Sequence, residues 1–162
     1  MALAPMTREY RIASEPRGPA YESLLAFCAE AGAWCSLVDL RPKAKGSRAF
    51  LAKAEPHAIG VDSVTQWPGG GVGKGAVALW RFALVPEFVS LLMACSKGLY
   101  GWKAPQLPED MAFYRPDGSV LLGSIAHEHI GWMHLSEEEA RCRLLGSVDL
   151  PGRGRGVGGG PA

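Results

Sequence analysis

No apolar run in this sequence approaches the ~20 residues that a membrane-crossing helix requires, so no membrane association is expected. The amino-terminal stretch MALAPMTREYRIAS also lacks a signal-peptide core, because Arg8 and Glu9 break it. Cysteine is sparse: Cys28, Cys35, Cys95 and Cys142 are four in 162 residues, and no pair has the Cys-x-x-Cys spacing of a zinc or redox site. They are expected to be reduced thiols of a soluble cytoplasmic protein, most of them packing in the core. A surplus of one charge is missing as well. Seventeen basic and sixteen acidic residues leave a formal +1, which gives no sign of a nucleic-acid surface.

What the chain has in quantity is apolar residues, 48% of the total, which is a globular composition. A chain of this length buries roughly 70% of its unfolded surface and needs no metal or disulfide to be stable. Residues 8–13 read as a short leading strand. Pro19 suits a first helical turn and Tyr21, Leu24, Leu25 and Cys28 share one face, which predicts a helix through GPAYESLLAFCAEAGA with a left-handed stop at Gly32. WCSLVDL reads as a strand, and Ser47 is expected to cap a brief helix over Arg48–Glu55. Phe88, Leu91, Leu92, Cys95 and Leu99 form the cleanest apolar stripe, on a helix opened by Pro86 and ended by Gly98.

Further strands are expected in IGVDSVTQW, GAVALWRFAL, MAFYR, SVLLGSIAHEH and WMHL, with Pro116-Asp117-Gly118 as a turn. Ser136 and Glu139 have the spacing of a capping box for a last helix over Glu137–Leu145, ended by Gly146. The strands come in hairpin-linked groups. This predicts an α+β fold: one domain over residues 1–150, a mainly antiparallel sheet with about three helices on one face. Residues 151–162, half of them glycine, read as a flexible tail.

Four segments are candidates for function. WPGGGVGKGAVALWRF, residues 67–82, suggests a phosphate-cradling loop, but Pro68 stands where the motif's first glycine belongs and Gly75 where its hydroxyl belongs. A strand also follows where a helix is needed, so the stretch reads as a hairpin turn and no nucleotide or other cofactor is expected. In IAHEHIGWMH, His127 and His129 would point to one face of an extended strand, where two imidazoles can chelate zinc if His134, His57 or an acid supplies a third ligand. The alternative is a strand end whose histidines bond locally. Tyr100 and Trp102, in the proline-broken loop to Asp110, either plug the core or present a contact surface. Cys35, in a strand beside Trp34, has no local base to activate it.

The block LPEDMAFYRPDGSVLLGSIAHEH resembles one found in small uncharacterised bacterial proteins, in which LPED, an aromatic strand, a DG turn and an Ile-(Ala or Ser)-His-Glu segment occur together. TQWPG fits the same pattern, so the resemblance runs from Trp67 to Glu139. No catalytic residue comes with it. By analogy, compact bacterial α+β domains of this size resemble immunity proteins, which neutralise a toxin by binding it. The expectation is therefore a non-enzymatic protein-binding module that uses Tyr100, Trp102, Glu137 and Glu138. The alternative is a small metal-dependent enzyme built on His127 and His129.

Overall fold

The computed structural model describes residues 6–142 and 148–150. Its strands are β1 (Arg8–Arg11), β2 (Trp34–Asp39), β3 (Ala58–Val64), β4 (Gln66–Trp67), β5 (Gly70–Gly71), β6 (Val77–Ala83), β7 (Glu109–Tyr114), β8 (Val120–Ile125) and β9 (Ile130–Leu135). Its α-helices are α1 (Pro19–Ala31), α2 (Lys45–Ala54), α3 (Pro86–Cys95) and α4 (Glu137–Ala140). Seven strands form one sheet in the order β1-β9-β8-β7-β2-β6-β3, every pair antiparallel, and β4 with β5 makes a separate two-stranded ribbon. The chain is an α+β fold, as hairpin-linked strands predict. No helix among the described residues is long and apolar enough to cross a membrane.

Strand alternation sorts the two faces of the sheet. Cys35 and Leu37 of β2, Phe82 of β6, Met111 and Phe113 of β7, Leu122 of β8 and Met133 of β9 join the main core. Against them pack Tyr21, Leu24, Leu25, Phe27 and Cys28 from α1 and Phe88, Val89 and Leu92 from α3. The alternate residues Ser36, Val38, Leu79, Ala112 and Tyr114 are buried too, yet lie outside that cluster. They belong to the other face, where Trp34 stacks on Tyr114 at 3.8 Å between ring centroids and the Ser36 and Tyr114 hydroxyls bond at 2.9 Å.

Several local expectations hold. Pro19 and Pro86 open α1 and α3, Gly118 takes φ +87° in the turn between β7 and β8, and Ser136 with Glu139 forms a complete capping box at α4. Others are corrected. Gly32 is extended, not left-handed; glycine is needed there because a Cβ would lie 2.6 Å from the Cys28 carbonyl oxygen. Helix α3 stops at Cys95, and the extended Gly98 makes room for the Glu15 carboxylate, 2.5 Å from where its Cβ would stand. Ser47 lies inside α2, which starts at Lys45, and donates to Asp39 Oδ1 at 3.1 Å in place of capping. The last helix, expected over Glu137–Leu145, is a single turn: α4 stops at Ala140, and Arg141 and Cys142 have already left it. Gly146, expected to end that helix, and the glycine-rich tail over 151–162 lie outside the described residues.

The loop after α3 ties the helical layer together. Trp102 is fully buried; its Nε1 donates to the Tyr21 hydroxyl at 2.9 Å, and that hydroxyl donates to the Leu92 carbonyl at 3.0 Å. Phe50 of α2 meets the indole edge-on at 5.0 Å. Removing this ring opens a cavity where three helices and a loop converge. Trp102→Ala is expected to cost about 3–5 kcal/mol, measured by urea unfolding, whereas Trp102→Phe, which keeps most of the packing, is expected to cost less.

Candidate functional site

Tyr100 and Trp102 had two readings, and the structure shows them in the core, 3% and 0% exposed. They offer a partner no surface. Burial of Tyr100, with the Glu15 carboxylate nearby, pushes its phenol up to about 12, and its hydroxyl, beside Gly131, is buried without a hydrogen-bond partner among the described residues. The other residues placed at a contact, Glu137 and Glu138, are exposed at the start of α4. Arg115 anchors that start through two bonds to Glu139, at 2.7 and 3.0 Å, and one to the His134 carbonyl at 2.9 Å.

His127 and His129 do not lie on a strand. Ala126–Glu128 is a single 3-10 turn, and His129 follows it in the left-handed conformation, φ 55°, before β9 begins. The shared-face spacing that would let both imidazoles chelate is therefore lost. His127 is exposed beside Glu128 at 3.8 Å, while His129 tilts against the Tyr100 ring, 5.2 Å between centroids. Among the described residues no three His, Cys, Asp or Glu side chains come together as metal ligands. Cys28 and Cys35 are fully buried, and loss of solvation holds both thiols far above their usual range, which removes them as nucleophiles at neutral pH.

The glycine stretch is a hairpin, with β3 and β6 paired from Ala58–Phe82 to Val64–Val77, and its tip folds back on the sheet. Asp110 holds it there. This buried aspartate accepts from Trp67 Nε1 at 2.9 Å through Oδ2 and from the Ala126 amide at 3.0 Å through Oδ1. It therefore joins three segments: the hairpin tip, the start of β7 and the 3-10 turn. Its backbone is left-handed, φ 55°, a conformation that aspartate tolerates better than most residues. Gly69 is required beneath it, because a Cβ would lie 2.3 Å from the Ser124 carbonyl oxygen. Buried and with each oxygen accepting a hydrogen bond, Asp110 works as a clamp.

Glu109 differs from its neighbour. Burial first, and the Asp110 charge second, raise its carboxyl above the usual range, although the Ala104 amide, His127 and Arg41 pull the other way. No sequence signal marked this pair as anything but a loop-to-strand junction. Both acids stand at one end of the sheet, where β2 ends, β6 begins and the basic stretch Arg41–Arg48 leaves it.

The edges of the sheet offer the other candidate surface. At one, β1 presents Arg8, Glu9 and Arg11. At the other, β3 has β6 on one side and, among the described residues, no strand on the other. Its Ile59 and Val61 are 51% and 49% exposed, the large apolar side chains most open to solvent apart from Met6. Arg81 crosses the outer face of this edge: it lies over the Trp34 ring at 5.5 Å, fills the space above Gly60, and pairs with Asp62 at 2.8 Å. The guanidinium shields a face of β3 and leaves the outward backbone uncovered.

No family model matches the chain, and no curated protein or solved structure resembles it.

Two outcomes follow from the acid pair. Asp110→Ala strands the Trp67 and Ala126 donors, each worth about 1–3 kcal/mol when buried unpaired. It should speed proteolysis within residues 65–76, with Asp110→Asn intermediate because one oxygen remains. For Glu109, a carboxyl raised in the folded state carries no penalty at pH below its unfolded value and a growing one as pH rises through the folded value. Glu109→Gln should therefore raise the melting temperature near neutral pH and change it little in acid. A loss of stability at neutral pH would contradict the burial argument.

Proposed function

We propose that this chain is a non-catalytic protein-binding module that takes up an extended segment of its partner along the open side of β3. The supporting observation is the edge itself: a seven-residue strand, bare on one side, with exposed Ile59 and Val61. Unpaired strand N–H and C=O groups are satisfied by another polypeptide, and natural edges left open are commonly charged or covered. Asp62 is the one charge on β3, and Arg81 already neutralises it. An immunity-like role, in which a toxin is neutralised by binding in the cytoplasm, is the biological form that the analogy with compact bacterial α+β domains suggests.

Glu137 and Glu138 have no part in this contact. Helix α4 follows β9, five strand spacings from β3, or roughly 24 Å. A partner seated on β3 would have to span the sheet to reach them.

The test uses the partner retained by the tagged protein from its own host extract, compared across variants. Val61→Lys places a charge on the edge, and should weaken the complex more than about tenfold while moving the melting temperature by only a few degrees. Charge reversal at Glu137 and Glu138 should leave the complex intact. The opposite pattern would move the contact to α4.

A further inference from the structure

The basic stretch at the end of β2 has no counter-charge of its own. Lys43, Lys45 and Arg48 are exposed, and none forms an ion pair among the described residues. Together with Ala49 they line an open depression of about 520 Å³. Next to it Leu40, Arg41, Pro42, Lys43 and Ala44 line another of about 330 Å³. Arg41 is near enough to Glu109 to favour its charged form, without an ion pair between them among the described residues. The first turn of α2 contains no acidic residue and Ala44 supplies no side-chain cap; Asp39 reaches that turn through Ser47, while Lys43, Lys45 and Arg48 themselves stay exposed and outside any ion pair among the described residues. Such an arrangement gains from an external anion.

Strand register places this charge relative to the open edge. Asp39 pairs with Ala78, and Ala78 pairs with Ser63, so the three stand in one row across the sheet. The basic stretch leaves the sheet two strand spacings from Ser63, roughly 10 Å. A strand added to β3 would pass about one spacing further out. Its residues beyond the Ser63 end would lie about three spacings, roughly 15 Å, from where the basic stretch leaves the sheet, a gap shared between the long, flexible side chains of Lys43, Lys45 and Arg48 and those of the partner.

We infer that the segment accepted by β3 carries acidic residues at the end lying beside Ser63, and that Lys43, Lys45 and Arg48 hold them. The partner is thus a protein with an extended apolar strand and an acidic flank. This inference rests on the strand-addition reading and adds the charge that selects among strands. A nucleic acid would answer the cations but not the unpaired backbone and apolar side chains of β3.

Fluorescence anisotropy with synthetic strands tests it. The probes are a short alternating Val-Thr peptide with glutamates at one end or the other, the same peptides with lysines, and single- and double-stranded DNA. A glutamate-ended probe should bind about tenfold or more tightly than its lysine counterpart at low salt, and the gap should narrow as salt rises. Lys43→Glu with Lys45→Glu should reverse the order at an unchanged melting temperature; Lys43→Gln, Lys45→Gln and Arg48→Gln together should abolish the preference. Equal affinity for both charge types, or a preference that survives the reversal, overturns the inference and leaves strand addition standing. Failure of every peptide, or binding that ignores Val61→Lys, overturns strand addition and this inference with it. DNA bound more tightly than the glutamate probe overturns the partner class.

Discussion

An antiparallel sheet that does not close on itself must end twice, and each end exposes a row of unsatisfied backbone groups. The rest of this molecule is arranged around that constraint. One end is β1, where Arg8, Glu9 and Arg11 make approach by another strand costly in charge. The other is β3, where alternation exposes Ile59 and Val61 and the single acid is already paired. The helical layer covers the centre of one face, and α2 leads directly into β3 through a single 3-10 turn at Glu55–His57. The edge is therefore built on rigid elements, although its own outer side is open.

The β3–β6 hairpin is pinned at both ends of its length. Near Phe82 its strand joins the core through the stacked Phe82 and Phe88 rings, 4.7 Å apart. At the far end Asp110 grips Trp67, and Gly69 seats against the Ser124 carbonyl. Without that clamp a glycine-rich tip would add its conformational freedom to the strands it connects. Asp110 thus has a structural use that accounts for a buried acid, its left-handed backbone and the glycine beneath it. Glu109 carries the cost of standing next to it.

Much of this was legible from residue spacing. The apolar stripe of α1, the proline starts, the Asp117-Gly118 turn and the Ser136–Glu139 box are local patterns, and each is where its pattern puts it; the stripe of α3 holds only in part, because Phe88 and Leu92 are buried with Val89 while Leu99 falls in the 3-10 turn beyond the helix. Two glycines misled because glycine serves two purposes: Gly32 and Gly98 are needed for close approach, not for a positive φ. His127 and His129 read as strand residues because no glycine or proline announces the turn; the left-handed backbone falls on His129 itself. The burial of Trp102 depends on α1, α2 and α3 meeting beneath the loop, which no local spacing encodes. Strand order is the largest omission. That β3 is an edge and β2 an interior strand follows from pairings distant in sequence, so the surface with the clearest binding chemistry was not visible before the topology.

The central claim is that β3 is a formed strand with an open outer side. Residue-resolved amide hydrogen exchange of the free protein measures both properties at once. The account predicts alternation along Ala58–Val64: amides bonded to β6 protected, and those directed away from it exchanging close to the rate of unstructured chain. Uniform protection along β3 in the isolated protein would mean that the edge is already covered, and uniform lack of protection would mean that the strand is not formed. Either result would contradict the account.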